Sequence, residues 1–97
     1  MKTYVSLISW TDQGIRDFRD TTDRAEAFTK LVENGGGKVR ELVWTVGEYD
    51  MVCVADFPDE EAGVAALLVV SSLGNVRSTT LRAFSAEEMS GIIARTR

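Results

Sequence analysis

Residues 43–54 read VWTVGEYDMVCV, two runs of β-branched, aromatic and other apolar residues parted by the tetrad Gly47-Glu48-Tyr49-Asp50. Two such runs so closely spaced, with a glycine at the break, call for a β-hairpin. Gly47 can supply positive φ in the turn, and Asp50 can accept backbone N–H bonds at the start of the second run, as turn aspartates commonly do. This hairpin decides the fold because of what flanks it: a strand and a helix come before it, and a helix and a strand follow.

Upstream, Thr3 to Trp10 alternates in both registers, with Val5 and Leu7 on one face and Tyr4, Ile8 and Trp10 on the other, the pattern of a strand covered on both sides. The sequence TDQG breaks that run. Ile15 and Phe18, then Ala25, Phe28, Leu31 and Val32, recur at helical spacing, giving a short helical turn and a longer helix with Asp12 and Thr22 as N-caps. Gly35-Gly36-Gly37 stops the helix, since glycine takes the left-handed conformation without steric cost. As a phosphate loop the triplet is in the wrong place: it follows a helix, and no Lys-Ser or Lys-Thr pair comes after it. Val39 to Val46 is then the second strand.

Downstream, Met51 to Phe57 is the third strand, closed by Pro58, and Asp59 caps a helix whose first turn holds Glu60 and Glu61. Asp56, Asp59, Glu60 and Glu61 lack the spacing and the glycine of an EF-hand, so they read as a helix start and not as a metal site. This helix carries Val64, Leu67, Leu68 and Ser71 on one face and ends at Gly74. Asn75 to Phe84 is the fourth strand. Ser85-Ala86-Glu87-Glu88 is a capping box opening a last short helix with Met89, Ile92 and Ile93 on one side.

Two β-α-β units joined by a hairpin, with right-handed crossovers, place both main helices on one face of a four-stranded antiparallel sheet. The expected fold is an α+β, ferredoxin-like βαββαβ sandwich with an extra C-terminal helix, one domain over residues 1–97. The other sheet face has no helices, yet whichever register it takes carries large apolar groups. That face is expected to be buried against a second subunit.

With 44% hydrophobic and 27% charged residues and a net charge of −4, the chain reads as a soluble protein with no electrostatic reason to seek nucleic acid or an anionic membrane. The opening MKTYVSLISW is too short and too interrupted for a signal peptide, and GVAALLVV falls far below the roughly 20 residues of a membrane span. Cys53 is the only cysteine, so no intramolecular disulfide forms, and its apolar surroundings read as a buried, inert thiol in a reducing cytoplasm. One cysteine and no histidine cannot build the common zinc or haem sites, and the easiest acid-base residue is missing. No metal, cofactor or catalytic residue is expected.

Three segments, YVSLISWTDQGIRDF at 4–18, WTVGEYDMV at 44–52 and SLGNVRSTTLRAF at 72–84, together resemble the GYD domain family of small bacterial and archaeal proteins. The family is similar to the dimeric α/β-barrel superfamily, in which two ferredoxin-like sheets pack face to face. The resemblance implies a fold and an assembly, a homodimer or a multiple of dimers, more than a reaction. A Gly-x-Tyr-Asp corner also occurs in other members with different functions, which favours a turn role for the tetrad.

Three functional readings follow. In the first, the oligomer binds a small molecule or a protein partner at a cavity or subunit interface, with Trp10, Trp44, Tyr49, Arg77 and Arg82 as pocket candidates. The tryptophans read equally as packing residues, and the two arginines, an odd number apart, point to opposite faces of a strand or guard its edge. The second is a cofactor-independent oxygenase- or isomerase-like enzyme, for which Asp50, Glu41, Glu48 or Cys53 would be the base, none with a second group to hold it in role. The third is a structural subunit joined through edge strands, although Lys38, Arg40 and Glu41 on one edge and Arg77 and Arg82 on the other look like blunted edges. The first reading is the one the residues favour.

Overall fold

In the computed structural model, which describes residues 1–96, the hairpin at residues 43–54 joins β2 (Lys38–Trp44) to β3 (Met51–Phe57). With β1 (Lys2–Trp10) and β4 (Val76–Ala83) they form a four-stranded antiparallel sheet in the order β2-β3-β1-β4. Between β1 and β2 lie α1 (Asp12–Arg16), a 3-10 turn at Phe18–Asp20 and α2 (Thr21–Asn34). The helix α3 (Glu60–Ser72) joins β3 to β4, and α4 (Ala86–Ala94) follows β4. This is the ferredoxin-like order, with the two edges at β2 and β4.

Strand pairing settles which apolar register faces the helices. Cys53 sits beside Ser6 and Leu42, and Ala55 beside Tyr4 and Val39, on the side where Val32 of α2 and Ala66 of α3 complete the core with Phe57. Val5, Leu7, Val52 and Val54 take the opposite, helix-free face, with Val43 paired to Val52 and Leu81 to Val5. An extra residue at Arg40 interrupts the β2–β3 register between Val39 and Glu41, a bulge on an edge strand.

The face that α3 turns inward is not the one its large residues suggest. Gly63 and Ala66 are buried, while Val64 and Leu68 are 53% and 66% exposed. This helix is apolar nearly all round, so its periodicity does not select a face. The edge-to-face pair of Tyr4 and Phe57, with ring centroids 5.9 Å apart, leaves room above it only for small residues. A Cβ on Gly63 would already lie 3.3 Å from each ring.

Local signals set most element ends. Asp59 caps α3 by accepting from the Ala62 N–H at 2.8 Å, and Ser85 and Glu88 form the reciprocal capping box of α4 at 3.1 and 2.9 Å. The Ser85 backbone N–H holds the Glu88 carboxyl below its ordinary range. Two caps differ from expectation. Thr11, not Asp12, caps α1, because its hydroxyl both accepts from the Gly14 N–H and donates to the Gly74 carbonyl. Asp20, not Thr22, precedes α2 and makes no side-chain cap bond, since the 3-10 turn leaves it at φ −91°, ψ 1° rather than in the extended conformation a capping side chain needs. β2 also ends at Trp44 and not at Val46, because the Thr45 N–H and hydroxyl turn inward to the Asp50 and Tyr49 carbonyls and leave Val46 fully exposed. Among the described residues, no helix is long and apolar enough to cross a membrane.

Candidate functional site

The small inward residues of α3 hold it close to the sheet at the Tyr4–Phe57 end. Toward the other end of the sheet, α2, α3 and the strands line a half-open cavity of about 330 Å³. That lies in the range of roughly 300–1,000 Å³ typical of small-molecule sites. Its floor is the helix-facing register of the sheet: Ser6, Ile8 and Trp10 of β1, Leu42 of β2, Met51 and Cys53 of β3, and Val76 and Ser78 of β4. Phe28 and Leu31 of α2 and Leu67 and Val70 of α3 form its walls.

The lining is almost wholly apolar, with Trp10, Arg24 and Asn75 at one end. Trp10 is the last residue of β1, and its indole N–H is buried without an acceptor among the described residues. A buried donor left unpaired costs about 1–3 kcal/mol. Arg24 of α2 also lines the cavity; its Nη2 donates to the Gly14 carbonyl at 3.2 Å, and it pairs with no carboxylate among the described residues. Asn75 completes this end. Its carbonyl accepts from the Thr11 N–H at 3.1 Å and its side-chain oxygen from Gln13 at 2.9 Å, so the loop before β4 is tied to α1.

Cys53, 2% exposed, is the one cysteine, and burial pushes its thiol up to about 11. Folding therefore favours the protonated thiol: the stabilisation is complete below the ordinary value of 9.0 and is lost as pH rises through about 11. Across that window the wild type should lose about 3 kcal/mol that Cys53→Ala does not, read as a pH-dependent difference in their urea midpoints. A constant difference from about pH 8 to about 11.5 would show that the thiol is not held protonated.

Of the five pocket candidates named from the sequence, the structure brings only Trp10 to the cavity. The Trp44 indole N–H donates to the Thr21 hydroxyl at 3.0 Å, joining the end of β2 to the start of α2. Tyr49 lies in the hairpin turn, and its carbonyl accepts from the Thr45 hydroxyl. Arg77 is on the helix-free face opposite Ser9. Arg82 is on the helix side but beside Tyr4, stacked 4.4 Å from the Phe84 ring centre and 3.9 Å from Glu88, where it anchors the base of α4. Gly47 has φ +141°, and Asp50 accepts the Trp10 N–H at 2.9 Å while donating its own N–H to the Ile8 carbonyl. Asp50 thus extends the β1–β3 ladder past its last pair and fixes the backbone of Trp10.

Among the possible bases, Glu41 faces away from the helices opposite Val54 and Glu48 lies in the exposed turn, so Cys53 alone reaches the cavity. No aspartate or glutamate lines it. Sequence reading missed Arg24, whose signal was its place one turn before Phe28 on the inward face of α2. It also missed Ser6 and Ser78, polar residues in the inward register, whose hydroxyls both bond to that of Thr80 at 2.9 and 2.7 Å.

The helix-free face is a second candidate surface. Val5, Leu7, Val43, Val52, Val54 and Leu81 form its aliphatic centre, and Lys38, Arg40, Glu41, Asp56 and Arg77 stand around it. Asp56 there accepts from the Thr3 hydroxyl at 2.5 Å and lies 3.7 Å from Arg40.

Comparison with known proteins agrees with this architecture. The family model described as "GYD domain" matches residues 4–93. The crystal structure of TTHA0845 from Thermus thermophilus is similar, with a TM-score of 0.57 and 26% identity over 89% of this chain and 96% of that one. The fold is also similar to the crystal structure of "Putative Chlorite dismutase TA0507", with a TM-score of 0.58 and 15% identity over 96% of this chain. This chain spans 48% of the length of that protein. No curated protein matches the sequence.

Proposed function

Because the chain belongs to the GYD domain family and its ferredoxin-like fold places an apolar cavity above a sheet whose other face is bare, we propose that it is a homo-oligomer, a dimer or multiple of dimers, that binds a small organic molecule between helices and sheet. The observation that carries the reading is the apolar cavity of about 330 Å³ between the two helices and the sheet. A small apolar molecule would gain by burying its surface against this lining. The chemistry of the lining supports binding over catalysis: the cavity presents no carboxylate, and its thiol is held protonated. The free Cys53 fits a reducing, cytoplasmic setting.

Self-association is supported by the helix-free face. Its flat aliphatic centre, ringed by charges of both signs, suits a two-fold pairing with the same surface of a second copy. Native mass spectrometry of gently purified protein should show a dimer or a multiple of dimers carrying an added small mass. Val54→Asp, which places a carboxylate at the centre of that face, should yield monomers that remain folded. A wild-type monomer would overturn the assembly. The cavity is tested separately with the neutral dye Nile red, whose emission should rise on binding and fall away in Ala25→Trp, where an indole fills the space. If the dye ignores both proteins and no added mass is retained, the cavity is not a binding site.

A further inference from the structure

We propose that α4 docks on the outward face of α3 of a second copy, antiparallel to it, with Met89, Ile92 and Ile93 over Val64 and Leu68 and with Arg95 beside Glu60 and Glu61. This contact is separate from the pairing of helix-free sheet faces and adds a second way for copies to associate.

The chain presents two bare apolar helix surfaces. Every residue of α4 is exposed, Met89, Ile92 and Ile93 included, and helical spacing puts these three on one side. A nine-residue helix is marginal in water by itself, even with the capping box at Ser85, so its apolar side needs a surface to pack on. On α3 the small residues Gly63 and Ala66 face the sheet, and Val64 and Leu68, one turn apart, stand outward and exposed.

Within one copy the two surfaces stay apart. Arg82 stacks on Phe84 and lies 3.9 Å from Glu88, which fixes how α4 leaves β4. Glu88 is about 100° round the helix from Met89, so this anchor leaves the apolar side uncovered. The molecule is accordingly drawn out to 52 × 30 × 18 Å, with a radius of gyration of 14.6 Å where a compact domain of this length has about 13 Å.

Charge selects the occupant and its direction. The first turn of α3 holds Glu60 and Glu61, and no basic residue follows along that helix. The first turn of α4 is also acidic, with Glu87 and Glu88, but Arg95 stands at its C-terminal end. A parallel pair would set acids against acids. An antiparallel pair sets Arg95 against Glu60 and Glu61, leaves Glu87 and Glu88 at the uncharged Ser71–Ser72 end, and aligns the helix dipoles favourably. Arg95, Glu60 and Glu61 have no partner of opposite charge among the described residues. The spacing also fits: Met89 to Ile93 and Val64 to Leu68 each rise about 6 Å, which brings Arg95, two residues past Ile93, level with Glu61. Two-fold symmetry makes the contact twice, each copy giving one α4 and receiving another. Exposed ion pairs contribute little, so the apolar side chains hold the contact and the charges orient it.

Sedimentation velocity of the full-length protein tests this. The patch is small, so association should depend on concentration: wild type should gain mass from dimer toward tetramer between about 10 μM and about 1 mM, and Val54→Asp from monomer toward dimer over the same range. Leu68→Asp should weaken this step about 100-fold, since the residue enters the contact twice, and its exposure should leave the urea midpoint unchanged. Arg95→Glu should weaken it about tenfold, as should the double variant Glu60→Lys, Glu61→Lys, while an equal mixture of the two proteins should recover wild-type association. Recovery in a mixture requires that the partners sit on different copies. A mass independent of concentration, an unchanged step in Leu68→Asp, or no recovery in the mixture would each overturn the proposal. None of these outcomes touches the Val54-dependent pairing at low concentration, so the two associations fail separately.

Discussion

Replacing Gly14 with alanine should destabilise the protein by about 3 kcal/mol or more, because the added methyl meets backbone and not a movable side chain. A Cβ built there lies 1.9 Å from the Asn75 carbonyl oxygen and 2.9 Å from its carbonyl carbon. Relief requires α1 to move off the loop before β4, which would strain the Thr11 N–H bond to Asn75 and the Gln13 bonds to Asn75 and Leu73. The total stability of a domain this size is about 5–15 kcal/mol, so one methyl should remove a large share of it. Asn75 also lines the cavity, so the same displacement reshapes it, and folded Gly14→Ala protein should bind the dye poorly. Gly91→Ala is the control. Nothing lies within 4 Å of a Cβ at Gly91, in the exposed α4, and alanine there should stabilise by about 0.5–1 kcal/mol. Urea denaturation of both variants reads the contrast; a Gly14→Ala midpoint close to wild type would show that the α1 contact is loose.

Phe57→Ala should cost about 3–5 kcal/mol, the range for deleting a buried phenylalanine. Phe57 is 5% exposed, closes the core with Val32, Cys53, Ala55 and Ala66, and makes the edge-to-face contact with Tyr4. Its removal leaves Gly63 facing a void that neither glycine nor the Tyr4 ring can fill. Phe57→Leu keeps most of the volume and should cost less than about 1.5 kcal/mol. Phe57 does not line the large cavity, so ligand affinity measured on the folded fraction should be unchanged, whereas Gly14→Ala perturbs stability and site together. Equal losses for Phe57→Ala and Phe57→Leu would mean that the aromatic contact, and not the filled volume, holds this end of the core.

The two predictions concern opposite ends of the helix layer, whose different packing the sequence did not display. Along α3 it showed Val64, Leu67, Leu68 and Ser71 on one face, and periodicity alone pointed Val64 and Leu68 inward. The structure turns Gly63 and Ala66 to the Tyr4–Phe57 pair because only small side chains fit there. The candidate site was legible only at Trp10 and Cys53. Arg82, equally conspicuous in sequence, is occupied by Phe84, Glu88 and the Thr3 carbonyl at the base of α4, while Arg24 looked like an ordinary helix-surface charge.

The order of strands and helices, the hairpin at Gly47, the caps at Asp59 and Ser85 and the glycine stops after α2 and α3 follow from the sequence by itself, because each depends on residues a few positions apart. Strands with apolar residues in both registers leave open which face meets the helices, since a slip of one residue exchanges the two. Only the pairing of β1 with β3 and β4 decided that Tyr4, Ser6, Ile8 and Trp10 face inward and that the valines face out. That choice brings Trp10, Arg24 and Cys53, distant along the chain, around one cavity. Their proximity is a property of packing, for which no local spacing rule exists.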